Sequence, residues 1–138
     1  MIFVRWKGRL IRRRALLDAS RQFVFLLCEH AVTWRLADAA VMAAQVTHLA
    51  DLCGRGNVDI AILPRSATIS EVPLNVFVVY DERLVTAELF SGEVVLRDPR
   101  DVTYHLELFD FFLSHALRGE AATQFLRGVA EEFMSEQE

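Results

Sequence analysis

The segment from residue 22 to residue 64 constrains the fold of this 138-residue chain more than any other. It reads QFVFLLCEHAVTWRLADAAVMAAQVTHLADLCGRGNVDIAILP. The pattern predicts a buried strand at residues 22–28, an amphipathic helix that starts after Asp38, and a second buried strand at residues 58–63. Two strands that are joined by a helix usually lie parallel in one sheet. The segment therefore predicts an α/β scaffold, and it contains no arrangement typical of a catalytic centre.

Three further strands and two further helices are predicted after this segment. The strands cover residues 74–80, 84–90 and 93–96. Their short connections indicate antiparallel neighbours. Asp98 followed by Pro99 predicts a helix start, because a capping carboxylate and a proline suit the first helical positions. A last helix begins near residue 120, and the acidic tail at residues 131–138 is expected to fray.

Residues 1–20 are predicted to form a basic N-terminal helix, over about residues 3–18. Its apolar residues recur at helical spacing, at Phe3, Trp6, Leu10 and Leu17. With this helix, residues 1–138 are predicted to form one domain of mixed α/β (α+β) class. We expect a central mixed sheet of about five strands, flanked by four helices.

Composition limits the class of protein. A hydrophobic content of 53% with 25% charged residues is typical of a soluble globular chain and excludes wholesale disorder. The longest apolar run covers residues 23–28, far short of the ~20 residues that a membrane-spanning helix needs. Charges within MIFVRWKGR argue against a signal peptide. We therefore expect a cytoplasmic protein, with Cys28 and Cys53 as buried thiols.

The charge of the chain is distributed unevenly. Residues 1–21 carry seven basic groups and one acidic group, a net charge of +6, whereas the remaining residues carry eight basic and eighteen acidic groups, a net charge of −10. The basic side chains define a candidate interaction surface at Arg5, Arg9, Arg12 and Arg13. One interpretation is a nucleic-acid-binding arm. We favour a basic helix that packs on the acidic domain or contacts an acidic partner, because its apolar stripe requires burial.

Few residues have the pattern of a chemical site. The four histidines lack metal-ligand spacing, and no phosphate loop or nucleophile motif is present. The sequence predicts no catalytic residue, no metal and no cofactor. Two carboxylates, Glu29 and Glu88, interrupt apolar runs. We expect them to be hydrated or paired with arginine, and a general acid–base pair is the alternative.

The order of these elements resembles a known family. The segments that carry the resemblance are VRWKGRLIRRRALL, QFVFLLCEHAV, VMAAQVTHLADLCGRGNVDIAILP and LVTAELFSGEVVLRDPRDVTYHLELFDFFLSHAL. They resemble the C-terminal effector domain that follows an Xre-type helix-turn-helix in WhiJ-like, antitoxin-like transcriptional regulators of actinobacteria. The similarity covers about residues 4–128. In that family a helix-turn-helix precedes the matching region, and this sequence does not contain one.

The resemblance implies a non-catalytic regulatory domain that acts by protein–protein contact or by sensing a small ligand. The implied partners are a second copy of the chain or a small companion protein. DNA would be reached only through a partner that carries a helix-turn-helix, and no membrane is involved. We place a candidate ligand or partner cleft at the strand ends, with Glu29, Tyr80, Glu88 and Tyr104. The alternatives are direct nucleic-acid binding through the arginine-rich N-terminal helix and a small enzyme with a carboxylate site.

Overall fold

The computed structural model describes the backbone of residues 2–6 and all atoms of residues 16–136. Six strands occur in this part of the chain: β1 (Ile2–Trp6), β2 (Phe23–Cys28), β3 (Val58–Leu63), β4 (Phe77–Tyr80), β5 (Leu84–Leu89) and β6 (Gly92–Leu96). The helices described are α1 (Glu29–Thr33), α2 (Ala39–Leu52), α3 (Pro99–Ser114) and α4 (Gly119–Ser135).

The mixed α/β class is confirmed, but the five predicted strands do not form one sheet by themselves. They form a parallel pair, β2 and β3, and an antiparallel group of three, β4, β5 and β6. Both sets of strand directions agree with the prediction. The two groups are joined by β1, which lies antiparallel to β2 and parallel to β4. The resulting strand order is β3-β2-β1-β4-β5-β6.

The predicted N-terminal helix is wrong over Ile2–Trp6, because these residues form strand β1. The helical spacing of Phe3 and Trp6 competes with a run of β-branched and aromatic residues, IFVRW, that favours a strand. Pairing on both sides satisfies the backbone groups of β1 and decides between the two patterns. Arg5 therefore lies in a strand, and Arg9, Arg12 and Arg13 lie outside the described residues.

Helices cover both faces of the β2–β3 pair. On one face, α2 and α4 pack against side chains that include Phe23, Leu27, Ile60 and Ile62. On the other face, α3 packs against Leu26 and Ala61 of the same two strands and against Val79 and Val85 of the antiparallel group. Successive residues of a strand point to opposite faces, so each of the two strands contributes to both cores. This agrees with the prediction that the first strand of the pair is apolar on both faces.

Both predicted helix starts are confirmed. The Asp38 carboxylate accepts a hydrogen bond from the Val41 N–H at 2.9 Å, and the Asp98 carboxylate accepts one from the Arg100 N–H at 2.9 Å. The expected fraying of residues 131–138 is wrong for residues 131–135, because α4 continues to Ser135. The buried Phe133 holds this end of the helix against the core. None of the helices in the described part of the chain has the length and apolar character that crossing a membrane requires.

Candidate functional site

A cleft of about 200 Å³ opens between α3 and the long connection from β3 to β4. The connection covers residues 64–76, and a loop of that length without regular structure is typical of a functional segment. Residues 71–75 of the loop form one wall of the cleft, and the sheet contributes Phe77 and Ala87. The opposite wall comes from α3, with Tyr104, His105, Leu108 and Phe112.

Aromatic rings form the floor of this cleft. Phe77 is 3% exposed, and its ring meets His105 edge-on, with centroids 5.1 Å apart. The same ring contacts Phe109 at 6.5 Å, again edge-on. Edge-to-face packing of aromatic rings stabilises a fold by more than the burial of their apolar surface alone. The floor is therefore held in place by the buried core rather than by the loop.

The tautomer of the neutral His105 ring follows from its hydrogen bond. Its Nδ1 lies 2.7 Å from the carbonyl oxygen of Asp101. A carbonyl can only accept, so Nδ1 carries the hydrogen. In the neutral imidazole Nε2 is then a hydrogen-bond acceptor. The cleft thus has an imidazole with a defined tautomer, next to the phenol of Tyr104 at a centroid distance of 5.5 Å.

The rim of the cleft is apolar and exposed to solvent. Val72 is 70% exposed, Leu74 is 77% exposed, and Tyr104 is 59% exposed. Single exposed apolar residues are ordinary on protein surfaces, but here three of them surround one concave site. Several exposed apolar side chains around one cleft are typical of a surface that binds a partner.

Glu29 anchors the loop that forms the cleft wall. Its carboxylate accepts a hydrogen bond from the backbone N–H of Arg65 at 2.7 Å, and it lies 3.7 Å from Arg65 Nε. The side chain of Glu29 is 17% exposed. The residue follows β2 directly, and Arg65 lies two positions after the end of the neighbouring parallel strand β3. The expectation of a carboxylate paired with arginine is therefore met, and the pairing fixes the start of the loop.

The other three predicted cleft residues lie on α3 and on two strands of the sheet. Tyr104 lines the cleft, and Glu88 belongs to β5 next to Ala87 of the cleft floor. Because neighbouring strand residues alternate, Glu88 points to the face opposite the cleft. Tyr80 lies at the far end of β4 and packs against the core beneath α2 and α4. Of the four candidate residues, only Tyr104 contacts the cleft directly.

The two candidate carboxylates do not converge. Glu29 follows β2 and Glu88 lies on β5, with β1 and β4 between these strands. At about 4.8 Å between neighbouring strands, three spacings separate them by roughly 14 Å. Proton transfer between reacting groups needs hydrogen-bond distance or one intervening water, so this pair does not form an acid–base site.

The described cysteines and acidic groups offer little further chemistry. Burial raises the pKa of the Cys28 thiol, which disfavours the reactive thiolate. In residues 16–136 no three His, Cys, Asp or Glu side chains lie close enough together to hold a metal ion.

Several cleft residues were not identified from the sequence. The sequence indicates an ordinary helical histidine at His105, a polar loop that ends at Pro73 and a strand that starts at Leu74, whereas in the structure the loop continues to residue 76 and β4 begins at Phe77. Their proximity depends on how the loop docks on α3, which no local pattern encodes. The sequence signal is limited to two apolar residues, Val72 and Leu74, close together in the connection, and their exposure is visible only in the structure.

These features define a mixed α/β domain with a small apolar-rimmed cleft between a helix and a long loop. The chain belongs to the family described as Domain of unknown function (DUF5753), whose model matches residues 3–128. No curated protein matches the chain, and no solved structure matches it.

Proposed function

We propose that this chain is a non-catalytic regulatory domain that acts by protein–protein contact, with the cleft as its recognition site. The supporting observation is the combination of a small cleft with an apolar rim formed by Val72, Leu74 and Tyr104. The cleft would receive one apolar side chain of a partner protein, and the rim would contact the residues on either side of it.

The size of the cleft favours a side chain over a free ligand. Pockets for drug-sized small molecules commonly measure about 300–1,000 Å³ and enclose most of the ligand. The cleft here measures about 200 Å³. Anchoring of one large residue in a well-packed pocket is the usual source of binding energy in protein interfaces. A cleft of this volume therefore suits an anchor residue better than a metabolite.

The polar groups of the cleft suit a peptide. His105 Nε2 in the neutral ring accepts hydrogen bonds, as does the Glu71 carboxylate, whereas the Asn75 amide both donates and accepts. A peptide backbone presents an N–H and a carbonyl on either side of an anchoring side chain. The cleft can pair with both without a charged ligand.

The resemblance to WhiJ-like regulators indicates the process in which such contact would operate. An effector domain of that type would bind a small companion protein and thereby control a DNA-binding module. The module would belong to the same assembly as this domain. The proposed role of the chain is thus to convert partner binding into a change in transcription.

A peptide selection tests this proposal. A phage-displayed library of random peptides would be selected on the wild-type protein, with counter-selection on a Leu74→Asp variant. We expect the selected peptides to share one large apolar residue. Tyr104→Ala should weaken a selected peptide at least about tenfold in calorimetry, because it removes a rim contact of the anchor residue.

The matched control is Trp34→Ala. Trp34 is 67% exposed, similar to Tyr104, but it lies at the end of α1 and does not line the cleft. We expect this variant to bind the selected peptide with unchanged affinity. Equal binding by the wild type and by Tyr104→Ala, or chemical-shift changes that avoid Phe77 and His105, would contradict the assignment of the cleft.

A further inference from the structure

The last strand of the sheet, β6, has one edge without a described neighbour. The sheet order ends at β6, and none of the described strands pairs with its outer side. The opposite edge, at β3, is partly covered, because Ile62 and Leu117 exchange backbone hydrogen bonds of 2.9 and 2.7 Å. An exposed strand edge presents unpaired N–H and C=O groups that favour pairing with another chain. The outer edge of β6 is therefore a candidate interface.

The register of β5 identifies which backbone groups of β6 face outwards. The Glu88 N–H donates to the Val76 carbonyl at 2.9 Å, so Glu88 directs its backbone groups towards β4. The backbone groups of successive strand residues point to opposite sides, so those of Ala87 bond to β6, where Ala87 is paired with Val94. The backbone groups of Val94 consequently face β5. Those of Glu93 and Val95, which alternate with Val94, face outwards. Arg97 is the next position of this alternation and follows the end of β6 directly.

We propose that a second copy of this chain binds at β6, antiparallel to the first, with the two-fold axis at Val95. In this register Val95 pairs with Val95 of the second copy, and Glu93 pairs with Arg97. The symmetry makes the Glu93–Arg97 pair occur twice. All three outward-facing residues find a backbone partner, and every side-chain pair on that face is either apolar or of opposite charge.

The other registers are less favourable. Backbone pairing needs an outward-facing residue opposite another, which leaves few choices of axis. An axis at Glu93 places two glutamates opposite each other, and an axis at Val94 places Glu93 opposite Val95. An axis at Leu96 places Glu93 opposite Pro99, which has no N–H to donate. Only the axis at Val95 joins opposite charges.

A second observation comes from the charges on the open face of β5 and β6. Glu88 and Glu93 are directly opposite each other in the register of these strands, and both are exposed. Carboxylates in this position repel each other. Neither Glu93 nor Arg97 has an ion pair among the described residues. Arg97 of the second copy would lie beside Glu93 and offset the repulsion from Glu88.

The same register gives a position to Phe90. This residue lies at the tip of the β5–β6 hairpin and is fully exposed. With the axis at Val95, position 90 of one copy lies level with position 100 of the other, in the first turn of α3. There, Pro99, Thr103 and Tyr104 line an open depression of about 350 Å³. The hairpin tip of each copy would pack into this depression of the other.

Charge reversal tests the register. Glu93→Arg places two arginines opposite each other twice, and Arg97→Glu does the same with two glutamates. We expect each single variant to raise the dimer dissociation constant about tenfold or more, measured by sedimentation equilibrium. The double variant, Glu93→Arg with Arg97→Glu, should regain the wild-type value within a few-fold. A urea denaturation curve on each variant would show that the fold is retained.

Amide hydrogen exchange supplies a readout that is specific to the strand. The Val95 N–H should become protected as protein concentration rises, because it is bonded only in the dimer. The Val94 N–H is the internal control, since it bonds to β5 in both states. A wild-type protein that is monomeric at millimolar concentration would overturn the proposal. A dimer would also overturn the proposal if its dissociation constant were unchanged by both charge reversals, or if the Val95 amide stayed unprotected in it.

Tyr104 lines both the cleft and the depression, so variants at other positions are needed to test the dimer and the cleft separately. Val95 and Glu93 lie on the sheet face opposite the cleft, so the charge variants should still bind a selected peptide. Conversely, Leu74→Asp should leave the dimer intact.

Discussion

Replacement of Glu29 tests how the cleft wall is held. The Glu29 carboxylate accepts a hydrogen bond from the Arg65 N–H and lies near the Arg65 guanidinium. A hydrogen bond between a charged group and the backbone is worth about 1.5–3 kcal/mol net. The ion pair adds little, about 0–1 kcal/mol, because the Arg65 side chain is 79% exposed. We therefore expect Glu29→Ala to lower the free energy of unfolding by about 2 kcal/mol.

Glu29→Gln separates the hydrogen bond from the charge. The amide oxygen of glutamine still accepts from the Arg65 N–H, so the loss should be smaller, about 0.5–1 kcal/mol. Asp51→Ala is the matched control, because Asp51 lies 3.8 Å from the Arg127 guanidinium and both side chains are exposed. That variant removes an ion pair without a backbone bond, and its stability should change by less than about 0.5 kcal/mol. Urea denaturation measures all three variants.

Hydrogen exchange then locates the effect. If the bond holds the loop, the Arg65 amide in Glu29→Ala should lose protection by up to roughly 30-fold, the factor that corresponds to about 2 kcal/mol. Equal destabilisation by Glu29→Ala and Glu29→Gln would refute the reasoning, as would an unchanged Arg65 amide.

Three further predictions concern single positions. Glu82 has a positive φ of 62°, so Glu82→Gly should stabilise the fold by about 0.5–1 kcal/mol in thermal unfolding, whereas Glu82→Val should destabilise it. Hydrogen bonds from Arg100 lower the pKa of Asp98 in the folded protein below its ordinary value of 3.8. The contribution of Asp98 to stability is therefore complete above pH 3.8 and is lost as the pH falls through the pKa of the folded protein. In Asp98→Asn this dependence of stability on acid pH should be reduced. Burial raises the pKa of the Cys28 thiol, so Cys28 should react more slowly than Cys53 with an aromatic disulfide reagent near pH 8, compared in Cys28→Ser and Cys53→Ser variants.

The sequence predicted those parts of the fold whose signals are local. The Asp38 cap, the Asp98–Pro99 start and the uninterrupted apolar run of β2 each involve only neighbouring residues. The prediction failed at Ile2–Trp6, where the strand is stabilised by partners at Phe23–Cys28 and Phe77–Tyr80. When a sequence pattern fits both a helix and a strand, pairing with distant residues decides between them, and a short stretch of sequence carries no information about that pairing.

The candidate site shows the same division. Glu29 was identified because a carboxylate at the end of an apolar strand needs a partner, and Arg65 supplies it. Tyr104 was identified as an aromatic residue early in a helix, and it does line the cleft. Tyr80 was misplaced because β4 runs antiparallel to β2, so the carboxyl end of β4 lies level with the start of β2 and far from Glu29. His105 was missed because its position next to Phe77 is a tertiary contact.

The placement of β1 between the two strand groups has a consequence for how the chain folds. The hairpins of β4, β5 and β6 close over short loops, and the β2–β3 unit closes over the two consecutive helices α1 and α2, so both groups can form early. Phe3, by contrast, pairs with Phe77, 74 positions away. We expect a chain without residues 1–6 to keep the fast refolding phase of the two groups and to lose the slow phase that joins them, measured by stopped-flow fluorescence. A synthetic peptide of residues 1–6 added in trans should then restore the missing phase. The first strand would thus join two strand groups that have already formed.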